Sequence, residues 1–166
     1  MAKFNKLLDA KFTPPKRWEL QASLIFDSDI IHEEDYKVLK QVKARVTKAG
    51  KITAFKGFKT DLASVPRIAW SFIAPFDIAR SAVIHDALYA AIREYREENG
   101  YHVGSGGKFE SQESKETSAK AKAIADKIFL EAMMQSDPPV AKWKAYASYY
   151  SVVLFGRWSI IPRETD

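Results

Sequence analysis

The hydrophobic rhythm of the chain changes near residue 60. Before that point apolar residues recur in short alternating runs, the period of a half-buried strand. Trp18, Leu20, Ala22 and Leu24 alternate and lead into Ile25 and Phe26, which predicts one strand from Trp18 to Phe26. Val38, Val42, Ala44 and Val46 fall on one face of a second predicted strand. Lys48-Ala49-Gly50-Lys51 has the composition of a tight turn and opens a third run, Ile52 to Phe58. Pro14-Pro15 punctuates the chain before the first strand, and Asp27-Ser28-Asp29 and Glu33-Glu34-Asp35 read as polar connections. The expected result is a small antiparallel sheet with Thr60 and Asp61 at its exit.

Beyond residue 60 the period is helical. Ile78, Ala82, His85, Tyr89 and Ile92 share one helix face, with Asp77 as the expected N-cap and Gly100 as the cap at the far end. Gly104-Ser105-Gly106-Gly107 and the polar run to Ser118 read as a mobile loop. A second helix is expected from about Ser118 to Gln135, broken by Asp137-Pro138-Pro139. A third, rich in Trp, Tyr, Val and Leu, is expected from Val140 to Phe155. There is no internal repeat. The pattern predicts one α+β domain over 1–166: a β-rich part to residue 60, a helical part over 61–156, and a short tail.

The composition narrows the chemistry. Its 166 residues suit a single domain, and 46% hydrophobic residues suffice for a core. Without cysteine there is no disulfide, no thiolate-ligated zinc and no thiol nucleophile. The opening MAKFNKLLDAKF lacks the apolar core of a secretory leader, and no stretch reaches the ~18 apolar residues of a membrane span. The net charge of +5 is uneven: Met1 to Thr60 holds 13 Lys and Arg against 7 Asp and Glu. Such a basic face suits an anionic lipid surface, an acidic protein or nucleic acid, although no recognised DNA-binding motif makes the last specific.

Four short pieces gather the residues able to do chemistry. They are Thr60 to Arg67 (TDLASVPR), His85 to Tyr89 (HDALY), Ala125 to Phe129 (ADKIF) and Leu154-Phe155-Gly156. His85 points inward and needs a partner for its ring nitrogens. Asp126, on the next helix, is placed to fix its tautomer and leave the other nitrogen to take a proton from water. Asp86, about 100° around the helix from His85, with Asp61 or backbone carbonyls, is the candidate holder of a hard cation such as Ca²⁺. The competing reading is architectural: an inward His satisfied in a core, Asp61 and Ser64 capping a helix that Pro66 begins, and Arg67 pairing with Asp61 or Asp86. His32 and His102 are expected at the surface. Trp143, Tyr146, Tyr149 and Tyr150 are either core or a partner surface.

These pieces carry two resemblances. The series TDLASVPR, HDALY, ADKIF and LFG over about 58–156 resembles a family of small bacteriophage-encoded proteins catalogued as a domain of unknown function, with the pattern TDxASxPR, HDxLY and ADxxF. That resemblance implies a phage or prophage gene and, with it, a place in the virion or in the host bacterial cytoplasm. HDxxY followed by an AD pair is also similar to phospholipase A2, especially the cysteine-free form in parvovirus capsids. That likeness would make His85 the base, Asp126 its partner, Asp86 a Ca²⁺ ligand and Tyr89 an orienting residue. The segment from Asp61 to Asp77 contains no glycine, so the glycine-rich calcium loop of that class is missing.

Three functions follow as expectations. The first is a structural or accessory virion component, at the tail or tail tip, acting through contacts with other phage virion proteins. The second is a metal-dependent, phospholipase A2-like hydrolase of lipid or envelope esters built on His85 and Asp126. The third is an intracellular binder of nucleic acid or of a host protein, resting on the charge asymmetry alone.

Overall fold

The computed structural model describes residues 1–14, 17–60 and 78–162. Its strands are β1 (Lys3–Phe4), β2 (Ala10–Thr13), β3 (Arg17–Leu20), β4 (Leu24–Asp27), β5 (Lys51–Ala54) and β6 (Lys59–Thr60). The helices are α1 (Glu33–Gln41), α2 (Ala79–Glu98), α3 (Gln112–Met134) and α4 (Lys142–Phe155), with a 3₁₀ turn over Gly156–Trp158. This is an α+β architecture, as expected, but the β half is two small antiparallel sheets rather than one. Their strand orders are β1-β4-β5 and β2-β3-β6.

The expected strand from Trp18 to Phe26 is split between those sheets. Leu20 NH bonds to the Phe58 carbonyl and Gln21 NH to the Asp9 carbonyl, while four residues later Leu24 pairs with Ala54. Alternation survives the break because Leu20, Leu24 and Phe26 are all buried. A pattern of period two records which side chains face inward, not which neighbour supplies the hydrogen bonds.

The expected second strand is overturned. Val38 lies in α1, and of the other three residues only Val46 touches a sheet, through one bridge to Ile52. Glu33, Glu34 and Asp35, read as a connection, are the first turn of α1. Three carboxylates there complement the exposed N–H groups of a helix start, Asp35 accepts from His32 NH at 3.2 Å, and Lys40 suits the last turn. The expected turn does form, at Thr47–Lys51. Gly50 is needed there because a Cβ would stand 2.3 Å from the Ser28 carbonyl oxygen and its φ is +80°.

The helical half follows the sequence more closely. Helix α2 ends at Asn99–Gly100; the expected cap Asp77 lies outside the described residues. Helix α3 begins six residues before its expected start, since Ser111 caps it by accepting from Ser114 NH at 3.1 Å. Part of the expected mobile loop is therefore helix. What remains, 104–111, is tied down by Arg96, which donates to both Glu110 carboxylate oxygens at 2.8 Å.

Helix α2 is the centre of the molecule and is buried on nearly every side. The apolar residues of its predicted face divide between two clusters, Tyr89 and Ile92 falling in one and Ile78 and Ala82 in the other. Ile84, Leu88 and Ile92 join Leu20, Leu24, Phe26 and Ile52 in one core. Ile78 and Ala82 pack instead with Phe129, Met133, Ala145 and Val152 of α3 and α4.

A buried His-Asp-Tyr-Lys network as candidate functional site

His85 and Tyr89 lie one turn apart on α2, so their side chains stack on one face. Their ring centroids are 4.0 Å apart, and the ring of Phe129 of α3 lies 4.8 Å from the imidazole, centroid to centroid. Asp126, one turn before Phe129, projects toward both. His85 Nε2 lies 2.9 Å from Asp126 Oδ1, and Tyr89 Oη donates to the same oxygen at 2.6 Å. Lys122 Nζ donates to Oδ2 at 2.6 Å and to the Val152 carbonyl of α4 at 3.0 Å. One carboxylate thus receives three donors, and His85 and Asp126 are 0% and 2% exposed.

The protonation state follows from this arrangement. Burial pushes Asp126 upward, but the donors from His85, Lys122 and Tyr89 outweigh it and hold the carboxyl below its usual range. An ionised carboxylate has no proton to give, so Nε2 carries the hydrogen of the His85–Asp126 bond. Burial pulls His85 below its ordinary value, against the opposing pull of Asp126, so the ring is neutral. Nδ1 then holds a lone pair. It is buried, and no group among the described residues bonds to it. Burial and the Asp126 charge push the Tyr89 phenol far upward, so Tyr89 acts only as a donor.

Thr60 and Gly156, from two other sequence pieces, also lie against α2. Thr60, at the end of β6, donates its hydroxyl to Asp86, which is 5% exposed. Gly156 presses on the network from behind: a Cβ there would lie 2.5 Å from Tyr89 Oη and 3.3 Å from Lys122 Cε. Its φ of −65° is open to any residue, so space rather than backbone freedom calls for glycine. Lys122 was not singled out in the sequence, although its i, i+4 spacing to Asp126 was the available signal. Asp61, Ser64 and Arg67 lie outside the described residues.

His85 is sealed within the fold, and no open cleft reaches it among the described residues. A cavity of about 780 Å³ between β5 and α2 is lined by residues such as Lys43, Ile52 and Ala91, and His85 is not among its lining residues. Nor do the described residues gather three or more His, Asp or Glu side chains as a metal site. The candidate Ca²⁺ ligand Asp86 accepts from the Thr60 hydroxyl, and Asp61, expected beside it, lies outside the described residues. His32 and His102 are exposed, as expected. Trp143, Tyr146 and Tyr150 are exposed on α4, whereas Tyr149 is half-buried. No described helix is long and apolar enough to cross a membrane.

The molecule is thus an α+β domain built around a buried histidine–carboxylate pair. Residues 36–152 match the family described as proteins of unknown function (DUF1353), and the chain belongs to that family. The match spans His85, Tyr89, Lys122 and Asp126. No curated protein and no solved structure shows significant similarity to the chain.

Proposed function

We propose that the protein is a phospholipase A2-like hydrolase of lipid esters in which His85 is the general base. One observation supports this reading: His85 Nε2 is held by Asp126 while Nδ1 is buried without a partner among the described residues. An unsatisfied buried acceptor costs about 1–3 kcal/mol, and a purely structural histidine would have no use for that cost. In the reading, Nδ1 takes a proton from water as the water oxygen adds to an ester carbonyl. The imidazolium is stabilised by Asp126 and returns the proton to the departing alkoxide, so fatty acid and alcohol leave and His85 is neutral again. Tyr89 and Lys122 keep Asp126 ionised and in place. Because His85 is enclosed, the cover over Nδ1 has to open for substrate, and turnover is gated by that opening.

The test is fatty-acid release from phosphatidylglycerol vesicles and from a soluble short-chain ester, each with calcium and with chelator. Removing a general base lowers rate by about 10²–10⁴. His85→Gln and His85→Ala should both lose release to that extent while at least one keeps a cooperative melt. Wild-type protein without release, or folded variants that release as wild type does, would overturn the reading. The calcium and chelator arms decide whether a cation takes part.

A second reading is favoured by the exposed aromatic side of α4. We propose for it a component of a phage tail or tail tip that contacts other virion proteins. It predicts this chain among the proteins of purified particles, and its absence there would refute it.

A further inference from the structure

Helix α4 is built inside out. A surface helix ordinarily turns its large apolar residues to the core. Here the buried positions are the small Ala145 and Ser148 with Val152, while Trp143, Tyr146, Tyr150, Leu154, Phe155 and Trp158 are 43–64% exposed. The side chains are ordered among themselves. Tyr146 and Tyr150 stack at 6.4 Å, and Phe155 and Trp158 at 6.2 Å. Cations sit beside the rings: Arg157 lies 4.3 Å from the Trp158 centroid and Lys144 5.9 Å from that of Trp143. From Pro138 to Pro162 the chain holds Lys142, Lys144 and Arg157 and no Asp or Glu.

We infer that this face docks on an anionic lipid bilayer, lying in the interface rather than crossing it. Trp and Tyr suit the headgroup boundary because an apolar ring carries a polar edge. Leu154 and Phe155 supply apolar depth, and Lys142, Lys144 and Arg157 supply attraction to anionic headgroups. The charge also argues against a second copy of the chain as occupant, since two copies of the 138–162 segment bring cations together and that segment holds no Asp or Glu. The inference stands apart from the hydrolase reading, because docking does not depend on what His85 does.

The experiment uses ether-linked lipids, which no esterase can cleave. Wild-type protein is sedimented with phosphatidylcholine vesicles containing or lacking phosphatidylglycerol, at low and high salt. Binding should require phosphatidylglycerol and weaken with salt. A variant carrying Leu154→Asp and Trp158→Ser should bind about ten-fold or more weakly. It should keep its melting temperature, since both side chains are more than half exposed. Three results would overturn the inference: no sedimentation with anionic vesicles, equal sedimentation of wild type and variant, or a stable wild-type dimer that the variant abolishes without any vesicle binding. Soluble-ester hydrolysis, measured alongside, separates the two readings. Hydrolysis without docking defeats only this inference, and docking without hydrolysis defeats only the enzymatic one.

Discussion

Replacing Asp126 with asparagine keeps the shape of the side chain and removes its charge. In the native molecule Oδ2 receives Lys122 Nζ at 2.6 Å, with the two side chains only 12% and 3% exposed. The asparagine variant must direct either an amide NH₂ or a neutral oxygen at that ammonium. Oδ1 also becomes a neutral acceptor for His85 and Tyr89, whose bonds lose their charge assistance. Removing one partner of a buried ion pair costs about 3–5 kcal/mol, because the surviving charge stays buried without compensation. For a domain of this size that lowers the melting temperature by roughly 10 °C. Removing both charges should cost less than their separate effects suggest, since two apolar or neutral groups leave no stranded ion. Urea unfolding of wild type, Asp126→Asn, Lys122→Met and the double variant measures the coupling. The network predicts a coupling energy of about 1–3 kcal/mol. An Asp126→Asn loss below about 1 kcal/mol, or strict additivity in the double variant, would refute the buried, charged assignment.

Gly156→Ala should destabilise by about 1–3 kcal/mol, because its Cβ would stand 2.5 Å from a Tyr89 hydroxyl that Asp126 holds in place. Adding Tyr89→Phe removes the obstructing oxygen and should return part of the loss in thermal melts; no rescue would mean that the clash lies elsewhere. Stability should also fall with acid. His85 is held below its ordinary value in the folded state, so below about pH 6.5 the unfolded chain binds a proton that the folded chain refuses. The stability present above that pH is lost as pH falls toward the folded value. Asp126, held below the usual carboxylate range, adds a further loss below about pH 4. Urea midpoints at pH 7.5 and 5.5 check the first limb, which His85→Gln should flatten; an equal pH slope in that variant would contradict it.

The helical half was legible because its signals are local. The spacing of Ile78, Ala82, His85, Tyr89 and Ile92 located α2, and the proximity of Asp126 to His85 followed from two neighbouring amphipathic helices. The sheets were less legible because strand partners are chosen over long sequence distances. The run from Trp18 to Phe26 reads as one strand, yet Leu20 and Leu24 pair with different sheets. Around α1, the spacing of Val38, Val42, Ala44 and Val46, of which only Val38 lies in the helix, drew attention away from the acidic first turn at Glu33–Asp35. Burial was harder still to read: α2 has one obvious apolar face but is enclosed on nearly every side, which only the packing of both sheets and α3 around it reveals. The inverted face of α4 was visible as an excess of aromatics, but its direction was not, because small inward residues carry little periodic signal.

The account rests on an unprotonated Nδ1 at His85, and long-range ¹⁵N–¹H correlation of the histidine rings between pH 5 and 8 tests that directly. The network predicts one ring that stays neutral through pH 6.5, protonated at Nε2 and bare at Nδ1, and that changes tautomer balance in Asp126→Asn. A His85 protonated at Nδ1, or an imidazolium at neutral pH, would contradict the assignment and remove the base from the proposed reaction.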